Sequence, residues 1–256
     1  MIHPTAIVNP KAELDSEVEV GPYSIIGDNV KIGNQTRIGS HVVIDGWTSI
    51  GQNCQIFPFA SIGAIPQDLK FKGEESQLII GNGNVIREFV TINRATALGI
   101  GKTILGNDNF LMVYSHVAHD CKIGNQVIIA NAVALAGHIE VEDFAIIGGL
   151  VGVHQFVKIG CYSIIGACSA VSQDVPPYTM AVGNHAKLHG LNTVGLKRHH
   201  FSDEAIRNLK KAYQIIFRSG LLLKKALEKV ESEIPGSPEV MNLITFIRRS
   251  ERGIIR

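Results

Sequence analysis

Rings are scarce in this sequence: ten Phe, five Tyr and one Trp make up 6% of 256 residues. Alongside 26 glycines and 45% hydrophobic residues, that scarcity argues for thin layers of small aliphatic side chains and against a core organised around aromatics. No run of about 18 apolar residues occurs, so no membrane-spanning segment is expected. Met1-Ile2-His3-Pro4 lacks the basic stretch and apolar core of a secretion signal, which implies a cytoplasmic protein. The four cysteines (Cys54, Cys121, Cys161, Cys168) have no CxxC spacing, so neither a zinc site nor a redox pair is expected; each reads as a small buried residue. Net charge is only +1, and no nucleic-acid partner is expected. The charge is uneven, however. Residues 185–256 hold 14 Lys+Arg against 7 Asp+Glu, whereas the remainder holds 10 against 16. A basic tail on an acidic body invites an anionic partner.

What is abundant is a six-residue period. Ile2, Val8, Leu14, Val20 and Ile26 begin an unbroken series of 11 aliphatic residues that ends at Ile62. Ile80, Ile86 and Ile92 follow, and a series of 12 runs from Leu105 to Val171. An α-helix cannot keep such a period on one face, because 3.6 does not divide it. A triangular coil can: each hexapeptide supplies a short strand and a corner, three make a coil of about 18 residues, and coils stack about 4.8 Å apart. The pattern predicts a parallel β-helix over residues 1–184.

The repeat breaks at residues 64–79 and 97–104. Loops extruded from a rigid scaffold tend to carry function; the first, with Gln67-Asp68-Leu69-Lys70, is read as functional, and the second is balanced against a plain surface insertion. Residues 185–256 are predicted to form a helical cap. One helix follows Ser202 as N-cap, with Asp203 and Glu204 complementing its dipole; others cover Leu222–Val230 and Pro238–Arg249.

Counting by 18 also places the histidines. His119, Gly137 and Gln155 fall in one column; Asp120 stacks under His138, Ala136 under His154, and His116 lies three residues before His119. His119 beside Asp120 suggests a general base with a carboxylate to fix its tautomer, provided the chain turns between them. A glycine above the base leaves space and a backbone N–H for an oxyanion. A ladder of solvated corner histidines, or a zinc site built from them, are the alternatives.

The segments SHVAHDCKIGN (115–125), LAGHIEVEDFAIIGG (135–149), VHQF (153–156), QDLK (67–70), QDVPPY (173–178), GNHA (183–186) and LNTVGLKR (191–198) resemble the acyl-[acyl-carrier-protein]–UDP-N-acetylglucosamine O-acyltransferases of lipid A biosynthesis along the whole chain. The resemblance implies a left-handed helix, a homotrimer with sites between subunits, and transfer of an (R)-3-hydroxyacyl chain to the sugar 3-position. His119 would be the base, Asp120 its orienting carboxylate and Gly137 the oxyanion donor. Asp68, Lys70, His116, His138, His154 and Gln155 would bind substrate, with Asn192 and Arg198 at the nucleotide. Ala167 would measure the acyl chain, near or slightly below the longest the family accepts. The acyl group would arrive on the phosphopantetheine of acyl-carrier protein, with no metal or other cofactor. Asn93 and Ala95 depart from the family's usual IHRGT, and Val194 and His199 from its nucleotide region. A 3-amino sugar acceptor therefore stays open, as does, more remotely, a zinc hydratase of the γ-carbonic anhydrase type.

Overall fold

The computed structural model describes residues 1–256. The repeat folds as a left-handed parallel β-helix whose short strands stack into three faces. The first face holds nine strands from Ile7–Val8 to Ala170–Val171. The second holds eight, from Glu13–Leu14 to Lys158–Ile159. The third holds ten, ending with Thr179–Val182 and the antiparallel strand Lys187–Leu191. Pairing sets the coil length: Val42 N–H bonds Ser24 Oγ 18 residues earlier, but Gln52 meets Asn82 across 30 and Thr91 meets His116 across 25. Both breaks are therefore insertions that leave coil stacking intact.

The period-six aliphatics point inward on all three faces, and Ile26, Ile44, Ile86, Leu111, Ile129 and Ile147 are essentially inaccessible. At the N-terminal end nothing lies beneath the first coil, and Ile2 is half exposed. The small residue four places after each aliphatic sits under a corner. There Ser24, Thr36, Asn84 and Asn109 spend their polar atoms on backbone groups of neighbouring coils. Cys54 and Cys121 occupy the same kind of position and are buried, and burial pushes the Cys121 thiol up to about 12. Cys161 is half-buried and Cys168 exposed, against the expectation that all four lie inside; both sit in corners, where the side chain points away from the core.

Most corners turn through a residue in the left-handed region, among them Tyr23 (φ 60°), Asp120 (φ 59°) and Tyr178 (φ 67°). Such a conformation costs roughly 1–2 kcal/mol for a non-glycine residue. Stacking between coils offsets part of it. Tyr23, His41, Phe59, Phe89 and Tyr114 form an exposed ladder between the third and first faces, with centroids 4.9–5.1 Å apart.

Four helices follow: α1 (Thr193–Arg198), α2 (Asp203–Arg218), α3 (Leu223–Glu233) and α4 (Pro238–Arg248). Ser202 Oγ accepts from Ala205 N–H and caps α2 as expected. Residues 187–191 belong to the third face, and α1, absent from the sequence reading, is too short to show a periodic stripe. Helices α2–α4 share a second core that meets the solenoid at Tyr178, which receives a hydrogen bond from Asn242 of α4 (2.9 Å).

The segment after α4 returns to close the last coil. Asp174 is buried; its Oδ1 accepts from Lys158 N–H (2.8 Å) and its Oδ2 from Ser250 Oγ (2.6 Å). Its backbone pairs with Gly253 and Ile255, and Ile255 enters the solenoid core. Asp174→Ala removes the side-chain bond to Ser250 and leaves the Lys158 amide without its acceptor, while the backbone pairs remain, so residues 249–256 loosen. Limited trypsin digestion then cuts at Arg249 and Arg252 about tenfold faster than in the unmodified chain; unchanged cleavage would contradict the anchoring role.

Candidate active site

His119 and Asp120 occupy the corner between the first and second faces. Adjacent residues on an extended strand point to opposite sides. Here Asp120 has φ 59°, so the chain turns between the two and their side chains meet. His119 Nδ1–H donates to Asp120 Oδ2 at 2.8 Å. The carboxylate is 1% exposed and the imidazole 13%. Asp120 Oδ2 also accepts from Thr96 N–H (3.1 Å) and Thr96 Oγ1–H (2.7 Å), while Asp120 N–H donates to Thr103 Oγ1 (2.9 Å). With Nδ1 carrying the proton, Nε2 presents a lone pair.

The coil above supplies Gly137. His138 N–H bonds the His119 carbonyl (3.0 Å), which fixes the stacking of the two corners. A Cβ on Gly137 would fall 2.6 Å from His119 Cε1 and 2.8 Å from Nε2, so only glycine admits the ring. The Gly137 N–H donates to no acceptor in the chain. A base and a free amide thus stand one coil apart, as the count of 18 anticipates.

These groups open on a cleft of about 610 Å³ along the first face, lined by His116, His119, Gly137, His154 and Gln155 among others. His116 Nδ1 shares a hydrogen bond with Thr91 Oγ1 (2.7 Å). Burial, and then the neighbouring His119, hold His116 below the usual imidazole range. His154 is exposed, its Nδ1 3.1 Å from the Gln155 carbonyl. His138 turns to the other side of the corner, stacked on Phe156 (4.7 Å) and edge-on to His119 (5.2 Å).

The remaining predicted residues lie elsewhere on the chain. Asp68 turns its carboxylate onto Lys70 N–H (2.9 Å) within its own loop, and Lys70 is exposed. Asn192 caps α1 through Gly195 N–H (3.0 Å) and donates to the Tyr162 carbonyl (2.9 Å), beside the corner between the second and third faces. Arg198 ends α1 in solvent, and His199 packs edge-on against Phe144 and Tyr162 there. Ala167 is exposed at the corner between the third and first faces, at the far edge of the first face from His119.

Gln67 and His185 line the cleft; their segments QDLK and GNHA stand out in the sequence, but neither residue was assigned a role there, and neither was Thr96. Gln67 and Thr96 lie in or beside the insertions, where counting by 18 fails. His185 follows the end of the repeat. Asn93, one of the departures from the usual motif, is buried and donates to the Ile65 carbonyl (2.9 Å). Arg94 lies between Trp47 (5.6 Å) and Phe71 (5.5 Å), so both residues brace the loop that carries Gln67.

His119, Asp120 and His138 place potential ligand atoms within 4.8 Å of one another. The chemistry of the set does not favour an ion: Asp120 Oδ2 is already committed to three donors and His119 Nδ1 to Asp120, while the remaining carboxylate oxygen, Oδ1, is packed against Gly99, so an ion would have to displace one of these neighbours. The zinc-hydratase reading is accordingly not supported by this geometry.

The chain resembles known proteins along its full length. Residues 174–255 match the family model for UDP-N-acetylglucosamine O-acyltransferase, domain 2, and residues 11–46 and 102–137 match the bacterial transferase hexapeptide model. The acyl-[acyl-carrier-protein]–UDP-N-acetylglucosamine O-acyltransferase of Thermodesulfovibrio yellowstonii is 61% identical, covering 100% of this chain and 99% of its own. The corresponding protein of Thiobacillus denitrificans is 53% identical with the same coverage. Among solved structures, LpxA from Acinetobacter baumannii superposes with a TM-score of 0.97 at 49% identity, covering 100% of this chain and 99% of its own. The Arabidopsis UDP-N-acetylglucosamine acyltransferase does so with a TM-score of 0.89 at 38% identity, covering 100% of both.

Because the folded chain resists protonation of His116 more than the unfolded chain does, the unfolded state binds more protons below the ordinary value of 6.5. This contribution is fully present above that pH and is lost as pH falls through the depressed folded value. Thermal unfolding followed from pH 7.5 to pH 5.5 should show a smaller loss of Tm for His116→Gln than for the unmodified chain, and an equal loss would remove His116 as a cause.

Proposed function

The chain belongs to the acyl-[acyl-carrier-protein]–UDP-N-acetylglucosamine O-acyltransferase family, and from that premise we propose how its residues carry out the reaction. It is an acyltransferase of lipid A biosynthesis, moving an acyl group from acyl-carrier protein to UDP-N-acetylglucosamine. The observation that carries the mechanism is His119, held by Asp120 at Nδ1 and faced by the unbonded Gly137 amide one coil above.

His119 Nε2 takes the proton of the sugar 3-hydroxyl as that oxygen attacks the thioester carbonyl of an (R)-3-hydroxyacyl chain. The Gly137 N–H receives the developing oxyanion. When the tetrahedral intermediate collapses, the C–S bond breaks and His119 returns the proton to the departing thiolate of the carrier's phosphopantetheine. No metal or other cofactor enters these steps. His116 and Gln155 line the same cleft and contact the sugar nucleotide, with His154 beside them; His138 supports the base from behind. The first face between His119 and Ala167 carries His116, Ala134, Gly152 and Ala170 outward, a smooth path on which an acyl chain lies with its end measured at Ala167.

The nucleotide residues Asn192 and Arg198 stand beside a different corner from His119. For both sets to hold one nucleotide, the first face of one copy must meet the third face of the next. A closed ring of three copies does this, and it brings the ladder of Tyr23, Phe59, Phe89 and Tyr114 to the threefold axis. The exposure of that ladder, and of Leu150 above it and Leu69 on the first loop, supports a buried partner surface. Asp68 and Lys70 then reach substrate from their loop at the same interface. Arg248, Arg249 and Lys211 are paired to Glu231, Glu142 and Glu233. Lys197, Lys224 and Lys225 are exposed and offer the acidic carrier a salt-sensitive landing in the cytoplasm.

Incubation with acyl-carrier thioesters and UDP-N-acetylglucosamine, read by mass spectrometry, tests the reaction directly. His119→Ala should abolish transfer, and Gly137→Ala, which displaces the ring, should lower kcat about a hundredfold. Full activity in His119→Ala would exclude the base assignment. His119→Ala and Arg198→Ala copies, each inactive alone, should recover about a quarter of normal activity when unfolded and reassembled together, the fraction of interfaces with both residues intact. No recovery would mean that the two residues act within one copy.

A further inference from the structure

We propose that Thr96 and Gly99 are positioning residues of the His119–Asp120 pair, and that the second break in the repeat is the wall that holds the carboxylate in the plane of the imidazole. This rests on His119 acting as the base.

The carboxylate of an aspartate turns freely about its last torsion, which has only a broad two-fold preference. One hydrogen bond to His119 does not stop that rotation. Thr96 supplies two more to the same oxygen, from its backbone N–H (3.1 Å) and its hydroxyl (2.7 Å), and Thr96 is itself buried. Three donors therefore converge on Oδ2. Oδ1 is buried and accepts no hydrogen bond. It lies against Gly99, where an added Cβ would overlap it. Gly99 has no left-handed φ, so the requirement there is for space. Polar contact on one oxygen and close packing on the other leave the carboxylate one orientation.

The insertion makes this possible. After Thr91–Asn93 the chain must reach Lys102–Leu105, which pairs with Lys122–Ile123 of the next coil. In crossing, it covers Asp120 from the second-face side. Gly99 and Ile100 line a cleft of about 490 Å³ there with Asp120, His138 and Phe156. A regular coil in this place would leave the back of the carboxylate open to water, whose hydrogen bonds would compete with that to His119.

Thr96→Val keeps the volume and removes the hydroxyl; Thr96→Ser restores it; Gly99→Ala pushes on Oδ1. Thr96→Val and Gly99→Ala should each lower kcat about tenfold with KM for both substrates within about twofold of normal. Thr96→Ser should recover most of the loss. Nitrogen NMR of the imidazoles should show His119 as a single Nδ1–H tautomer in the unmodified protein and as a mixture in Thr96→Val. A normal kcat together with an unchanged His119 spectrum in Thr96→Val would overturn the proposal. So would a loss that Thr96→Ser shares in full, which would mark a purely structural role. Should His119→Ala remain active, the base assignment itself fails, and that result is separate from any of these.

Discussion

Everything in this molecule depends on the hydrogen bonds that run from each coil to the next. An amide on one coil finds its carbonyl on the coil above, as Ile7 does with Ser24 and His116 with Val133. That backbone ladder makes vertical neighbours of residues remote in sequence, whatever their side chains. His119 and Gly137 face one another because of it, through the backbone bond from His138 N–H to the His119 carbonyl. The inward aliphatics stabilise the stack by burial, about 1.5–3 kcal/mol for each large one. Position along the stack is set by the ladder.

The same regularity explains which features the sequence discloses. The three faces, the corner column of His119, Gly137 and Gln155, and the Ser202 cap are legible because each follows from a fixed count or a local rule. The roles of Thr96, Gln67 and His185 were not legible, although the segments that hold Gln67 and His185 stand out, since insertions of unequal length interrupt the count at two of them and the repeat has ended before the third. The second break itself was within reach all the same: counting back 18 from His119 lands on Gly101, inside that break. A break directly beneath a candidate base is a sign that the loop serves that base. The return of residues 253–255 to Asp174 lay beyond any periodic argument, being a contact between a tail and the coil it ends on.

Corners, more than faces, carry the chemistry. A face shows the solvent one outward residue per strand, while a corner shows several and turns through a left-handed residue. That turn lets His119 and Asp120 cooperate despite being neighbours. It also gives the pair two sides: His119 and Gly137 open on the first face, and Asp120, His138 and Phe156 look onto the second. Substrate chemistry on one side and support on the other can thus be altered independently, with the second break shaping only the latter.

The pairing of the tail with Asp174 has a consequence for synthesis. Each coil can be laid on its predecessor as the chain leaves the ribosome, so the solenoid winds in the order in which it is made. On the second face, however, the last coil is paired at its upper edge by residues 253–255, with Ile255 entering the core. Until these residues are translated, the last coil remains an open strand edge able to pair with another nascent chain, so the stretch between completion of the repeat and arrival of the tail is the interval of greatest exposure to misassembly.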